Sequence, residues 1–371
     1  MIKSLHIQNF KNLVDLQLPA LSRINLISGR NNVGKSTLLE ALRLFLSDAQ
    51  LPEILNSRGE ITASAIASRY DNPVEIRQRN HMALASLFTG RNSSVSPDNV
   101  IHISDGENQT SIRFFYYIQQ TFENNSQTFS RITAIENPSE HQDHEVFIGF
   151  EINRNNENSI RISLDRNLRN IRYLQTGTGT NDTEKLICVS HDYDNSGPTS
   201  RLWDNISLTD KEDDVIKALQ IIEPGIENIA FPEDSYSRTR YPIVKINGHK
   251  GRAPLRSMGD GINHILSIVL AIVNAENGCV IIDEIDNGLH YTVQKQLWTV
   301  IFELSKSLNV QIFATTHSSD CISSFSKVLQ QPANRDEGRF IRLEMKNGAV
   351  SSTEYNPDEL EIVASQNIEI R

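Results

Sequence analysis

The sequence predicts an α/β protein with a mixed, largely parallel core sheet, an antiparallel β subdomain and a helical lobe. Three observations predict it. Apolar runs at Gly278-Cys-Val-Ile-Ile282 and Val310-Gln-Ile-Phe-Ala314 alternate with helical patterns at 262–275, 291–308 and 318–327, and strands apolar on both faces belong in a parallel sheet covered by helices. Between Val100 and Asp165 the pattern changes to short runs of alternating apolar and polar residues, as one-sided antiparallel strands require. The 371 residues, 38% hydrophobic and 22% charged, suffice for one large domain or two and exclude collagen-like, broadly disordered and disulfide-scaffold chains.

Taken in order, residues 2–7 and 13–18 alternate as paired edge strands do, and Ile24-Asn-Leu-Ile-Ser28 is a short strand running into a glycine. Thr37 to Leu46 is apolar nearly all round, which predicts a helix buried against a sheet. Residues 47–97 are mixed and define no element. The runs Ile101-His-Ile-Ser104, Ser111 to Ile118 and Val146 to Ile152, joined by connectors such as Glu123-Asn-Asn-Ser-Gln127, form an antiparallel meander. Residues 175–200 are loop-rich around one strand, Lys185 to Val189. A helix follows from Leu208 to Ile222, with a cap at Thr209 or Asp210 and a stop at Pro224-Gly225. Neither an internal repeat nor a sustained heptad occurs.

Charge and cysteines narrow the function classes. Lys and Arg number 36 against 46 Asp and Glu, a net charge of −10, so nothing global advertises nucleic acid or an anionic membrane, although a local basic patch stays open. Cys188, Cys279 and Cys321 are too far apart for a Cys-x-x-Cys pair and odd in number for a disulfide framework, which fits a reducing cytoplasm. The first ten residues alternate like a strand, and no window approaches 18 uncharged apolar residues. The expectation is a cytoplasmic chain with neither signal peptide nor membrane span.

Gly29-Arg-Asn-Asn-Val-Gly34-Lys35-Ser36 matches G-x-x-x-x-G-K-[ST] at every required position, between a strand and a helix. Such a loop lets backbone amides curl around phosphates, adds the positive end of a helix, and offers Lys35 to the β/γ oxygens and Ser36 to Mg²⁺. Gly29, Asn31, Asn32, Gly34, Lys35, Ser36 and Thr37 are the candidate ATP-binding residues. Cys279-Val-Ile-Ile-Asp283-Glu284 ends an apolar strand in two carboxylates, which places Asp283 at the carboxyl edge of the sheet, where a metal shell is held. Ser36 and Asp283 are thus the candidate Mg²⁺ ligands, and Glu284 is suited to polarise an attacking water.

Ser257-Met-Gly259-Asp-Gly261 precedes the helix from Ile262 and reads either as an ordinary turn and cap or as a second anion-binding helix end. His317, ending Ile312-Phe-Ala-Thr-Thr-His317, is either structural or a contact to the γ-phosphate or the water. Asp286 and His290 are either dimer contacts or caps. His191-Asp-Tyr-Asp194 matches a metal-binding spacing that a solvated loop also produces.

Together these motifs, with Ile7-Gln-Asn-Phe10-Lys-Asn12, resemble the ATP-binding-cassette ATPases of the SMC, RecF and OLD kind over residues 1–45 and 250–325. The resemblance implies one ATPase head, 1–371, built from both chain ends. Within it lie a glycine-loop lobe (1–50), a β-rich subdomain (51–175), a loop and helical lobe (176–250) and a signature, carboxylate and switch-histidine lobe (251–371). It implies that Ser257, Gly259 and Gly261 of one subunit close over ATP held by another, that the loop from Asp286 lies across the dimer, and that His317 is the switch histidine. The signature departs from the transporters' Gly-Gly-Gln at Met258-Gly-Asp-Gly, and Gln78 and Gln175 are the candidates for the glutamine loop.

Within that group the chain is similar to stand-alone bacterial ATPases of the OLD-like AAA15 and AAA21 type, several of which act against phage. The expected partners are therefore a second copy, as a homodimer or higher homo-oligomer, and a separately encoded effector such as a Toprim nuclease. About fifty residues follow His317, too few for a nuclease domain of typical size. The competing expectation is a DNA-binding clamp of RecF type, whose release is timed by hydrolysis. A transporter ATPase ranks third.

Overall fold

The glycine-loop strand Ile24–Ser28 lies inside a six-stranded sheet ordered Ala349–Tyr355, Gly338–Lys346, Ile24–Ser28, Gln311–Thr315, Cys279–Ile282, Leu186–Val189. All neighbours run parallel except the first pair. The computed structural model describes residues 1–47, 51–57, 72–124, 127–155, 158–164, 168, 186–189, 197–234, 239–248 and 251–365. His191 to Asp194, Gln175 and residues 367–371 lie outside the described residues.

Every residue of Ile24–Ser28, Cys279–Ile282 and Gln311–Thr315 is buried, which is why these strands carry almost no polar alternation. Successive side chains serve two cores. Ile24, Leu26, Val280, Ile282, Ile312 and Ala314 pack with the helices Asp260–Asn274, Tyr291–Ser307 and Ser319–Leu329. Ile27, Cys279, Ile281 and Phe313 face the helix Lys35–Leu46 and a second sheet. That helix buries Leu38, Leu39, Ala41, Leu42, Leu44 and Phe45 between the two sheets, so it has no wide solvent face, as its sequence predicts.

The second sheet is antiparallel, ordered Leu13–Leu18, Leu5–Phe10, Val100–Ser104, Gln109–Asn124, Val146–Arg154, Asn158–Ser163. Gln127–Ile135 pairs with the far half of Gln109–Asn124. One sheet is thus shared between residues 5–18 and 100–163. Its inner face carries Ile7, Phe10, Ile112, Phe114 and Phe150, with Phe114 edge-on to Phe150 at 5.5 Å. A small third sheet, Ile226–Ala230, Ile243–Ile246 and Arg252–Pro254, leads into the helix Asp260–Asn274.

Some boundaries differ from the sequence pattern for local reasons. The helix expected from Leu208 begins at Asp210, because Leu208 is left-handed at φ 64 and the Thr209 hydroxyl donates to the Ile206 carbonyl at 2.6 Å instead of capping. The undefined stretch 47–97 contains helices Leu51–Ser57 and Pro73–Ala85, the latter capped by the Asn72 side chain accepting from the Val74 amide. Gly338–Lys346 and Ala349–Tyr355 form a hairpin turned at Asn347-Gly348, both at positive φ, the dipeptide that two-residue hairpins favour. Among the described residues no helix is long and apolar enough to cross a membrane.

Candidate functional site

Parallel strands deliver their carboxyl ends to one edge, and three adjacent ones end in the motif residues. Ile24–Ser28 runs into Gly29, Gln311–Thr315 into Thr316 and His317, and Cys279–Ile282 into Asp283 and Glu284. The threonine-ended strand lies between the other two, so its terminus touches both sides.

The glycine loop folds back on its own lysine. Lys35 is 5% exposed, and its Nζ donates to the Gly29 carbonyl at 2.7 Å and the Arg30 carbonyl at 3.0 Å. Burial pulls its pKa below the ordinary lysine value, and the Asp283 and Glu284 carboxylates partly offset that loss. The cation is thus held within electrostatic reach of both acids. Gly34 has φ 114, and a side chain there would meet the Asn12 amide at 3.0 Å. Asn12 in turn donates from Nδ2 to the Val33 carbonyl at 3.3 Å, so the turn between the first two strands braces the loop. Asn31 and Asn32 are exposed, Ser36 is half-buried and Thr37 is buried. No side chain caps the helix at Gly34, which leaves the amides of the first turn for an anion.

At the carboxylate strand, Asp283 accepts from the Thr315 hydroxyl at 2.6 Å, while the Glu284 amide donates to that hydroxyl at 2.8 Å. Glu284 is left-handed at φ 55, and its Oε1 is 3.9 Å from His317 Nε2. The Thr316 hydroxyl donates to Asp286 at 2.5 Å, and its amide to the Ile27 carbonyl at 3.0 Å. The sequence motifs give roles to Asp283, Glu284 and His317, whereas Thr315, Thr316 and the bracing Asn12 stand inside those motifs with no role of their own. The available signal was a pair of threonines following the apolar run Ile312-Phe-Ala314.

Ser257 and Gly259 are both exposed. Ser257 is exposed on the turn Leu255–Met258, and its hydroxyl donates to Pro254 of the same turn at 2.7 Å. Gly259 opens on free space, whereas a side chain at Gly261 would stand 2.6 Å from the Gly288 carbonyl. Gly261 is therefore where this segment touches the Asp286 to His290 loop. His290 bonds Thr292 at 2.9 Å and lies tilted against the ring of Tyr291, which is 60% exposed. Gln78 is exposed on the helix Pro73–Ala85.

Among the described residues no group of three or more His, Cys, Asp or Glu side chains forms a metal cage. One carboxylate and one hydroxyl are a donor set suited to Mg²⁺, a hard cation usually shared with phosphates and water.

Residues 1–322 match the AAA ATPase domain family. The chain belongs to that family. As an AAA ATPase domain it binds and hydrolyses ATP. Over 97% of its length, and 97% of the relative's, this AAA ATPase is 23% identical to a Helicobacter pylori protein named ATP/GTP phosphatase. A 47-residue segment, 13% of this chain and 22% of the relative, is 53% identical to an uncharacterized protein of Methanocaldococcus jannaschii. Among solved structures the domain is similar to the SMC head domain from Thermotoga maritima, at 12% identity and a TM-score of 0.45 over 95% of this chain and 98% of that one. It is also similar to a Pyrococcus furiosus Smc head domain with an extended coiled coil, at 12% identity and a TM-score of 0.49 over 99% of each chain.

Proposed function

We propose that this AAA ATPase is a Mg²⁺-dependent switch that works as a homodimer or higher homo-oligomer and controls a separately encoded effector, of which a Toprim-type nuclease in antiphage defence is the leading example. The observation that carries the catalytic half is the gathering of Lys35, Asp283, Glu284 and His317 at one sheet edge, with Glu284 3.9 Å from His317 and the charges of both acids offsetting part of the cost of burying Lys35. In this reading Gly29, Asn31, Asn32, Gly34 and Thr37 cradle the phosphates and Lys35 leaves the loop carbonyls for the β/γ oxygens. Ser36 and Asp283 hold Mg²⁺, which when bound neutralises charge developing on the phosphates. Glu284 takes a proton from the attacking water, and His317 orients the γ-phosphate end. The Helicobacter pylori relative, an ATP/GTP phosphatase by name, supports hydrolysis and makes GTP a second nucleotide to assay.

The switch half rests on the exposed Ser257 turn, which spends its hydroxyl within itself and can be offered to ATP by a neighbouring copy together with Gly259 and Gly261. The γ-phosphate then bridges two chains, and its removal loosens them. Mixing Lys35→Ala with Ser257→Arg subunits, each inactive alone, tests this. A head-to-tail pair regains one intact site, so part of the activity returns. A monomer whose turnover per chain is independent of concentration would leave the ATPase standing and remove the sandwich.

A further inference from the structure

We infer that Thr315 is a positioning residue for ATP hydrolysis, fixing the Asp283 carboxylate and the Glu284 backbone through one hydroxyl. The inference rests on the roles proposed above for Asp283 and Glu284. Thr315 is fully buried at 0% exposure, at the end of a strand that otherwise presents Ile312, Phe313 and Ala314 to the cores. Valine would satisfy that strand and that burial equally well. What valine lacks is the hydroxyl, and the hydroxyl both donates and accepts. Its single proton goes to Asp283 Oδ1 at 2.6 Å, and its oxygen accepts the Glu284 amide at 2.8 Å. The Thr315 carbonyl accepts the Ile285 amide at 3.0 Å. One threonine therefore holds three consecutive residues of the carboxylate turn.

Two consequences follow from that geometry. A carboxylate bonded through Oδ1 is fixed in orientation with Oδ2 left for a cation's shell, the service that outer partners render to metal ligands. Glu284, a non-glycine residue at φ 55, occupies a conformation that persists only where its surroundings hold it. The Thr315 hydroxyl captures its amide in that conformation and so sets the direction in which the Glu284 side chain leaves the turn. Thr316 extends the arrangement, joining Asp286 through its hydroxyl and the glycine-loop strand through its amide on Ile27. The carboxylate turn and the glycine loop are thereby referenced to a single strand end.

The test compares Thr315→Val with Thr315→Ser in the full chain. Mn²⁺ affinity is read by electron paramagnetic resonance in the presence of a non-hydrolysable ATP analogue, and binding of the analogue is read without metal. For Thr315→Val, Mn²⁺ affinity should fall about tenfold, the scale of losing an outer-shell partner, while metal-free analogue binding stays within about twofold. Turnover should fall with KM for ATP little changed, and Thr315→Ser should recover both properties. In the parent chain the Glu284 amide should exchange slowly with deuterium, a measurement that needs no variant and decides the matter should Thr315→Val fail to fold. A folded Thr315→Val protein with parental Mn²⁺ affinity and kcat, or fast exchange at the Glu284 amide, overturns the inference. If Lys35→Ala and Glu284→Gln also keep parental turnover, the underlying site reading falls instead; if both are inactive, Thr315 alone is discarded.

Discussion

The two large sheets meet in one core yet place their polar residues in opposite ways. In the six-stranded parallel-rich sheet the polar side chains with chemistry, Asp283, Glu284, Thr315, Thr316 and His317, stand at or just past strand ends on one edge. In the seven-stranded antiparallel sheet a carboxylate sits mid-strand. Glu151 lies in register with Arg113 on one neighbour and Arg161 on the other, and each guanidinium donates to it, at 2.8 and 2.7 Å. Strand ends leave side chains free to meet a ligand, whereas a mid-strand acid is consumed by its cross-strand partners. Under the proposed function, the difference assigns reaction to the parallel edge and holding to the antiparallel sheet.

The largest expected effect falls on the reacting edge. Glu284→Gln keeps Asp283 and the turn but loses the proton acceptor, so turnover should drop by about 10²–10⁴, the contribution of a positioned general base. ATP should stay bound, and single-turnover kinetics would show trapped nucleotide. Parental turnover would remove Glu284 as the base. Lys35→Ala should weaken ATP binding by about a hundredfold, the order expected when charge-assisted hydrogen bonds worth about 1.5–3 kcal/mol are lost. Its fold should survive, since the bonds Lys35 makes among the described residues go to two carbonyls of its own loop. Unchanged ATP affinity by calorimetry would break the comparison at its first term.

A smaller effect is expected where the second turn leans on the edge. At Gly261 a methyl group would stand 2.6 Å from the Gly288 carbonyl, and backbone, unlike a side-chain tip, does not swing aside. Gly261→Ala should cost about 1–3 kcal/mol of stability by overpacking, with slower hydrolysis as the Asp286 loop is pushed away. A lowered melting temperature with parental turnover would mean that the two loops touch without coupling.

How much of this was legible depends on the period of the pattern. The parallel strands announced themselves as apolar runs, and the strand-to-helix context made the glycine loop unambiguous. Thr315 escaped because its partners are distant in sequence, and a threonine at a strand end is ordinary until Asp283 is seen beside it. The hairpin over Gly338–Lys346 and Ala349–Tyr355 was readable from Asn347-Gly348, yet Arg339, Arg342 and Glu344 broke its apolar run. The sharing of the antiparallel sheet between residues 5–18 and 100–163 had no local signature, since register across some ninety residues is decided by the core and not by neighbours.

The smallest effect on catalysis should come from the holding sheet. Burial raises the Glu151 pKa, but hydrogen bonds from Arg161 and Arg113, with their charges, outweigh it and leave the carboxyl below its ordinary value. A carboxyl depressed in the folded state stabilises the protein above the unfolded pKa, near 4.3 for glutamate, and that stabilisation is lost as pH falls through the lower folded value. Glu151→Gln should therefore cost about 1–2 kcal/mol at pH 7, a figure held down because both arginines are about half exposed to solvent and screened. The gap between parent and variant should narrow as the pH is lowered past 4, while ATP turnover at neutral pH stays at the parental level. Thermal melts at two pH values and one ATPase assay decide it. Should Glu151→Gln slow hydrolysis without lowering the melting temperature, the antiparallel sheet would be reporting to the nucleotide edge, and the division between a reacting and a holding sheet would have to be redrawn.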